Sequence, residues 1–416
     1  MPQIEIKKKL IINLLNTILI LLFYSTLEQE IVSYAVLGLF FVNFLGGYRR
    51  GILFWCYSSY FIYTLNPVAY AIGAGTLLFL LFFKVLGKFG IKEIFIFVTA
   101  VISVFLSYRH GADPQIISAL LTLSNLLFFL QMSSTFKHII DFRNVIDSFW
   151  IGSIIIAGCT LISISKEGMG DMDRLGLEGS VRDLANGLIF PLFIKVTDYL
   201  SKKRSSSLPL VVENVCTIIF AFLLVLTLAK GAIFSLLISI FIFSVLSHKI
   251  NGKFVLISIA TFLVFFILQI YAGVDFSRLG ERNYDLNGRT LIWAFYFEKL
   301  LARGNVGLLF GFGPGNVNRI APEEYLGHYY AHSTFLDFFF SYGMVGFCLI
   351  ICFILYLFYL SHRVNNNFGI GLLFLTILTY SVTGASTNTQ IFIAFYAVYL
   401  SCICSNSVKK IIGGGK

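Results

Sequence analysis

Runs of apolar residues, each about as long as a bilayer-crossing helix, alternate with short polar breaks along most of this chain. A helix needs about 20 residues to cross a hydrocarbon layer of about 30 Å. Such runs occupy 10–27, 31–47, 145–165, 184–200, 231–247, 254–271, 333–360, 369–385 and 390–405. Others end near Asn66, run into Lys84, or stop near Arg109, Lys137 and Ala229. The pattern predicts an all-α, polytopic integral membrane protein with about 12–14 transmembrane helices and both termini cytoplasmic. Lys7, Lys8 and Lys9 precede a run too long for a cleavable signal peptide, with no small-residue cleavage site, so that run is expected to remain as a span.

Two polar gaps are longer than a turn, and this topology puts both on the extracytoplasmic side. The expected organisation is N-terminal spans over 1–165, a loop over 166–183, central spans over 184–271, a large loop over 272–332, C-terminal spans over 333–405 and a cytoplasmic tail over 406–416. Loops of that length are functional or disordered. The larger one carries Trp293, Phe295, Tyr296 and Phe297 among Glu298, Lys299 and Arg303, a mix suited to a helix lying in the membrane interface.

Composition removes the soluble alternatives. Of the 416 residues, 57% are hydrophobic and 12% charged, and 45 are Phe. A soluble domain carries about 25% charged residues, so a soluble enzyme, a disordered scaffold and a secreted disulfide module are excluded. The seven cysteines lie in apolar stretches and read as small hydrophobes.

The net charge of +10 would suggest nucleic acid in a soluble protein. Here the positive-inside rule accounts for about 20 of the bases, placing them in cytoplasmic loops. About 11 remain outside, which the rule does not explain. The inside set is mostly lysine, whereas the outside set is mostly arginine: Arg109, Arg174, Arg182, Arg278, Arg282, Arg289, Arg303 and Arg319, with Lys166, Lys230 and Lys299. Arginine's planar fork grips phosphate oxygens in pairs and keeps its charge in a low dielectric, so the outer face reads as an anion site. The alternative is that outer acids such as Asp171, Asp173, Asp183 and Glu281 simply pair with these arginines.

His332 closes the large loop and opens a span. At helical spacing it shares a face with Phe335 and Phe339, and Gly343 and Gly346 would let a neighbouring helix approach. At the water boundary it is either a satisfied polar cap or a proton acceptor. His328, four residues earlier, raises a two-histidine metal site that no nearby Cys or carboxylate completes. Gly311 to Gly315 lacks the ending of a phosphate-cradling P-loop and reads as a turn.

Four stretches together resemble the O-antigen ligase and O-antigen polymerase (Wzy-type) superfamily. HSTFLDFFFSYGMVG is similar to the family's His, polar residue, nine residues, Gly, two residues and small residue, here His332, Ser333, Gly343 and Gly346. NGRTLIWAFYFEKLLARGNVGLLFGFGPGNV resembles its Gly-Arg, Trp and later Gly-x-Gly stretch, which puts Arg289 on the family's essential arginine. TLAKGAIFSLLISIF resembles the start of a family helix, with Lys230 where ligases usually carry Arg. DRLGLEGSVRDLANGLIFPL resembles the segment bearing another functional arginine, matched best by Arg174 and next by Arg182. The likeness covers roughly 168–346.

The resemblance implies a GT-C-like, inverting, metal-independent glycosyltransferase in the bacterial inner membrane, needing no cofactor and working on the periplasmic face. The donor would be a glycan on undecaprenyl diphosphate. The acceptor would be a lipid-linked repeat unit for a polymerase or lipid A-core for a ligase, in lipopolysaccharide biosynthesis, with a chain-length regulator as a further partner and no nucleic acid. Arg289, Arg174, Lys230 and Arg182 would bind the donor diphosphate, with Arg278 and Arg282 in reserve, and His332 would take the acceptor proton. Lys230 and the Phe-rich spans favour the polymerase, with the ligase as the alternative. A lipid-linked oligosaccharide flippase is the alternative from another class; it should show internal repeats and midplane charges, and the sequence shows neither. A structural subunit of an envelope complex would need no more than the Phe-rich spans.

Overall fold

The computed structural model describes residues 2–66, 68–69, 72–73, 76, 142–167, 181–227, 229–247, 289–312, 333–382, 394–395 and 397–402. All regular elements among them are helices: α1 (Pro2–Thr26), α2 (Gln29–Leu45), α3 (Tyr48–Leu65), α4 (Phe142–Glu167), α5 (Val181–Ser201), α6 (Leu210–Leu226), α7 (Lys230–Leu246), α8 (Arg289–Ala302), α9 (Gly304–Phe310), α10 (Thr334–Arg363) and α11 (Asn367–Val382). The protein is therefore all-α over these residues. The runs expected between 67 and 141 and over 254–271 lie largely outside the described residues.

Most of these helices coincide with apolar runs, and the differences are at their ends. Arg49 and Arg50 fall in the first turn of α3, and Arg182 and Asp183 fall in the first turn of α5. Among the described residues one helix, Phe142–Lys166, is long and apolar enough to cross a membrane. A second candidate is α10, where Phe335–Cys348 and Ile350–Arg363 meet at 57°. α2, α6 and α7 have 17 residues each, which at a rise of about 1.5 Å per residue reach about 25 Å.

α4 and α5 form the centre. α4 packs on α1, α3, α5 and α6, while α5 packs on α4, α6, α7 and α11. The core between them is aliphatic and aromatic, with Trp150 and Phe190 almost fully enclosed and the Phe149 and Phe190 rings stacked 5.0 Å apart. Pro191 lies inside α5, where it cannot donate to the Gly187 carbonyl one turn back. Ser153 Oγ of α4 stands 2.6 Å from that carbonyl and 2.7 Å from the Phe149 carbonyl of its own helix, so its one proton reaches both acceptors. The proline thus removes a bond within one helix and creates the acceptor for a bond between two.

One polar cluster elsewhere in the interior is matched across helices. Asn16 of α1 donates to Asn43 Oδ1 and to the Tyr57 hydroxyl, both at 3.1 Å. Asn43 returns a bond to Asn16 Oδ1 at 3.3 Å and gives another to the Leu39 carbonyl at 2.8 Å.

Several apolar faces are exposed among the described residues. On α6, Val211, Val215, Ile218 and Phe222 form a stripe with helical spacing, and Ile218 is 72% exposed. α1 presents Ile11, Leu14, Leu15, Ile18 and Leu22 in the same way.

Specific contacts fix which helix ends lie together. Tyr24 near the end of α1 meets Ser163 near the end of α4 at 2.6 Å, and Lys166 donates to the Tyr24 carbonyl. At the opposite end, Phe142 of α4 packs edge-on against Phe368 of α11, and Asn367 donates to the Leu246 carbonyl that closes α7. Short turns join α5 to α6, α6 to α7, and α10 to α11. It follows that α5, α7 and α10 all begin at one end, called the Lys230 end. Arg49 and Arg50, the 202–204 turn and Arg363 share the other, called the Glu213 end.

Candidate functional site

Three of the five expected site residues stand in the opening turns of helices, and two of those helices, α5 and α7, begin at the Lys230 end. Lys230 is the first residue of α7, Arg182 the second of α5 and Arg289 the first of α8. Backbone N–H groups are unpaired at such positions, and the helix macrodipole is positive there. Neither Ala229 before α7 nor Ser333 before α10 supplies a side-chain cap. Arg174 and His332 lie outside the described residues, as do His328, Arg278 and Arg282. His332 immediately precedes Ser333, which is buried and in an extended conformation at the start of α10. The side chains of Arg182, Lys230 and Arg289 likewise lie outside the described residues, so the structure gives these bases a place in the chain and no partners.

The described part of the large loop is a helical hairpin, α8 and α9, packed on α10. The aromatic residues expected to lie in the membrane interface are used largely for this packing. Tyr296 is fully buried, its ring 5.2 Å from that of Phe340. Phe297 lies 5.4 Å from Phe339 and 5.1 Å from Phe340. Tyr296, Leu300, Phe312, Phe339 and Phe340 form a second small core, separate from the main one. Leu301, Val306 and Leu309 remain outward. Burial, and to a lesser extent the charge of Asp337, raises the Tyr296 hydroxyl pKa above its ordinary range.

Helical spacing puts Phe335 and Phe339 on one face, and the structure divides them. Phe335 packs on the main core, while Phe339 belongs to the small one. α10 therefore sits between the two cores.

Gly311 and Gly343 join the hairpin to α10. Gly311 (φ 76°) ends α9, and Gly343 (φ 63°, ψ −163°) breaks the helical path inside α10. A Cβ on Gly311 would fall 2.6 Å from the Gly343 nitrogen and the Phe340 carbonyl oxygen, and a Cβ on Gly343 would strike the Leu309 carbonyl. The Phe312 N–H donates to the Phe340 carbonyl at 2.7 Å. Gly343 does permit close approach, but to the end of α9, across a break in α10. Gly346 differs from the expectation: a Cβ there would meet Tyr342 of its own helix.

Arg303 belongs to the outer arginines but not to the expected clamp. It links α8 to α9, with its guanidinium carbon 4.9 Å from the Phe312 ring centroid. Burial lowers its pKa from the ordinary arginine value. The signal available in sequence was its position eight residues before the first glycine of GFGPG, which does not by itself show that the chain folds back.

The Glu213 end is built differently. Glu213, 2% exposed, receives Lys195 at 3.1 Å and Arg204 through two nitrogens. Asp147, also buried, accepts the Ser206 hydroxyl, the Ser207 N–H and the Ser207 hydroxyl. Asp198 accepts the N–H and hydroxyl of Ser205. Three acids, Asp147, Asp198 and Glu213, organise this turn. They are far apart in sequence, and only the packing of α4, α5 and α6 brings them together.

Compared with family models, curated proteins and solved structures, the chain matches none.

Proposed function

We propose that the protein is a polytopic membrane glycosyltransferase that moves a glycan from a polyprenyl diphosphate to a lipid-linked acceptor. The observation that carries this reading is the Lys230 end. Arg182 and Lys230 open helices that begin together there, and Arg289 opens a helix packed on α10, which also begins there. A cation in the first turn opposes the macrodipole, and an anionic ligand would offset that cost. A diphosphate leaving group is such an anion, and helix N-termini bind phosphate through their free N–H groups. The exposed apolar faces of α1 and α6 support a membrane setting, because soluble monomers rarely expose continuous patches of this kind.

In this mechanism Arg174, Arg182, Lys230 and Arg289 hold the donor diphosphate and stabilise the charge that develops as the glycosidic bond breaks. Preorganised groups of this kind contribute several kcal/mol. His332 accepts the proton of the acceptor hydroxyl as its oxygen attacks the anomeric carbon with inversion, and the diphospho-lipid departs. The reading favours a polymerase, extending a lipid-linked repeat unit on the periplasmic face of the bacterial inner membrane, with lipid A-core as the acceptor in the ligase alternative.

The test is His332→Ala in protein whose expression and folding are confirmed. Transfer from the diphospho-lipid donor is expected to fall about 10²–10⁴-fold; transfer near the wild-type rate would remove His332 as the base. Loss of the gene separates the two acceptors. Single repeats on lipid A-core identify a polymerase, and bare core with long free chains identifies a ligase.

A further inference from the structure

The contact between Gly311 and Gly343 demands more of the chain than packing alone requires. Both residues have positive φ, and Gly343 combines this with ψ −163°, a region in practice open to glycine alone. Each faces the backbone of the other's segment, so neither site has room for a Cβ. The break in α10 leaves the Phe340 carbonyl bonded to the Phe312 N–H of the hairpin. A continuous α10 could bury the same aromatic side chains without this conformation. Backbone is also less forgiving than side chain: a rotamer change can relieve a side-chain clash, but two facing main chains must move as bodies.

The position of the contact gives it a role. The hairpin begins with Arg289, and α10 begins two residues after His332. We propose that Gly311 and Gly343 form a positioning latch, which holds the helix that starts at Arg289 in fixed register with the segment that starts at His332. This rests on the transfer reaction proposed above. The latch touches no substrate, and its effect is on the alignment of groups that do. Misplacement by about 1 Å at a distance from the chemistry can cost about 10²-fold in rate.

The experiment uses the full chain in lipid nanodiscs, with Gly343→Ala as the variant and Gly38→Ala as the control, since a Cβ at Gly38 meets nothing. Spin labels at Leu301 and Leu355, both outward-facing, in a background whose seven cysteines are replaced, report how α8 sits on α10. Gly343→Ala is expected to shift or broaden the wild-type distance and to lower kcat per donor-binding site about 10²-fold. Gly38→Ala should change neither. An unchanged distance, or an unchanged kcat in the folded variant, overturns the latch. A purely structural role would reduce the number of donor-binding sites and leave kcat per site intact.

Should Gly343→Ala fail to fold, a measurement in the wild-type glycine background decides. Cysteines replacing Leu309 and Met344, which flank the contact, are joined with a cleavable bifunctional thiol reagent. A fixed latch predicts full transfer after joining. Loss of transfer that returns on cleavage would mean the two segments must part, and would overturn the proposal. The reading of the reaction fails separately: an inactive wild type condemns the transfer itself, whereas an active wild type with an equally active Gly343→Ala condemns only the latch.

Discussion

The two ends of the helical bundle handle charge in opposite ways. At the Glu213 end, Lys195 and Arg204 converge on one buried carboxylate, and a serine turn satisfies Asp147 and Asp198. At the Lys230 end, Arg182 and Lys230 stand in helix first turns, where the macrodipole is unfavourable to them, and the Arg289 hairpin is fastened to α10 by main chain against main chain. Among the described residues, the ion pairs belong to the first end. One end uses its charges to hold helices together; the other is the proposed site of the donor diphosphate.

This contrast is breakable. The largest stability effect is expected at the Glu213 end. Glu213→Ala removes the carboxylate shared by two cations and should cost about 3 kcal/mol, the low end for a broken buried pair, because half-exposed Arg204 recovers water. Thermal unfolding in detergent measures it, and an unchanged midpoint would show that the cluster holds nothing. At the other end, Arg289→Lys should lower transfer about 10²-fold while the unfolding midpoint stays near wild type. Full activity would refute a two-pronged grip on the diphosphate. Asp147→Asn is a smaller change, since an amide oxygen can still accept one of the serine donors. A loss of about 1–2 kcal/mol is expected, with transfer per folded molecule unaffected. If Asp147→Asn instead altered donor KM, the separation of holding and binding between the ends would be wrong.

Much of the architecture was legible in the chain. Apolar runs of span length mark nearly every described helix, and α5 forms over 181–201 although Pro191 interrupts it. Three of the five site candidates, Arg182, Lys230 and His332, lie at loop-to-span borders, which are visible in hydropathy alone; Arg174 and Arg289 lie inside the two loops, Arg289 at the start of α8. What was not legible is how the large loop is used. Trp293, Phe295, Tyr296 and Phe297 read as an interfacial belt, because aromatic residues beside charges look the same whether they meet lipid headgroups or another helix. Tyr296 is buried against Phe340. Gly343 and Gly346 looked equivalent as small residues at helical spacing, and only Gly343 makes the close approach. The difference is a backbone break that no local preference announces, since glycine tolerates both conformations.

The sequence by itself determined the elements and their alternation. Burying a run of about 20 apolar residues and solvating a cluster of lysines are local free-energy choices, made within one segment. The tertiary structure decided which distant groups serve one another: Ser153 with the carbonyl that Pro191 leaves open, Glu213 with Lys195 and Arg204, and Gly311 with Gly343. Each of these depends on distance and direction across helices, and a pattern along one strand of chain carries neither.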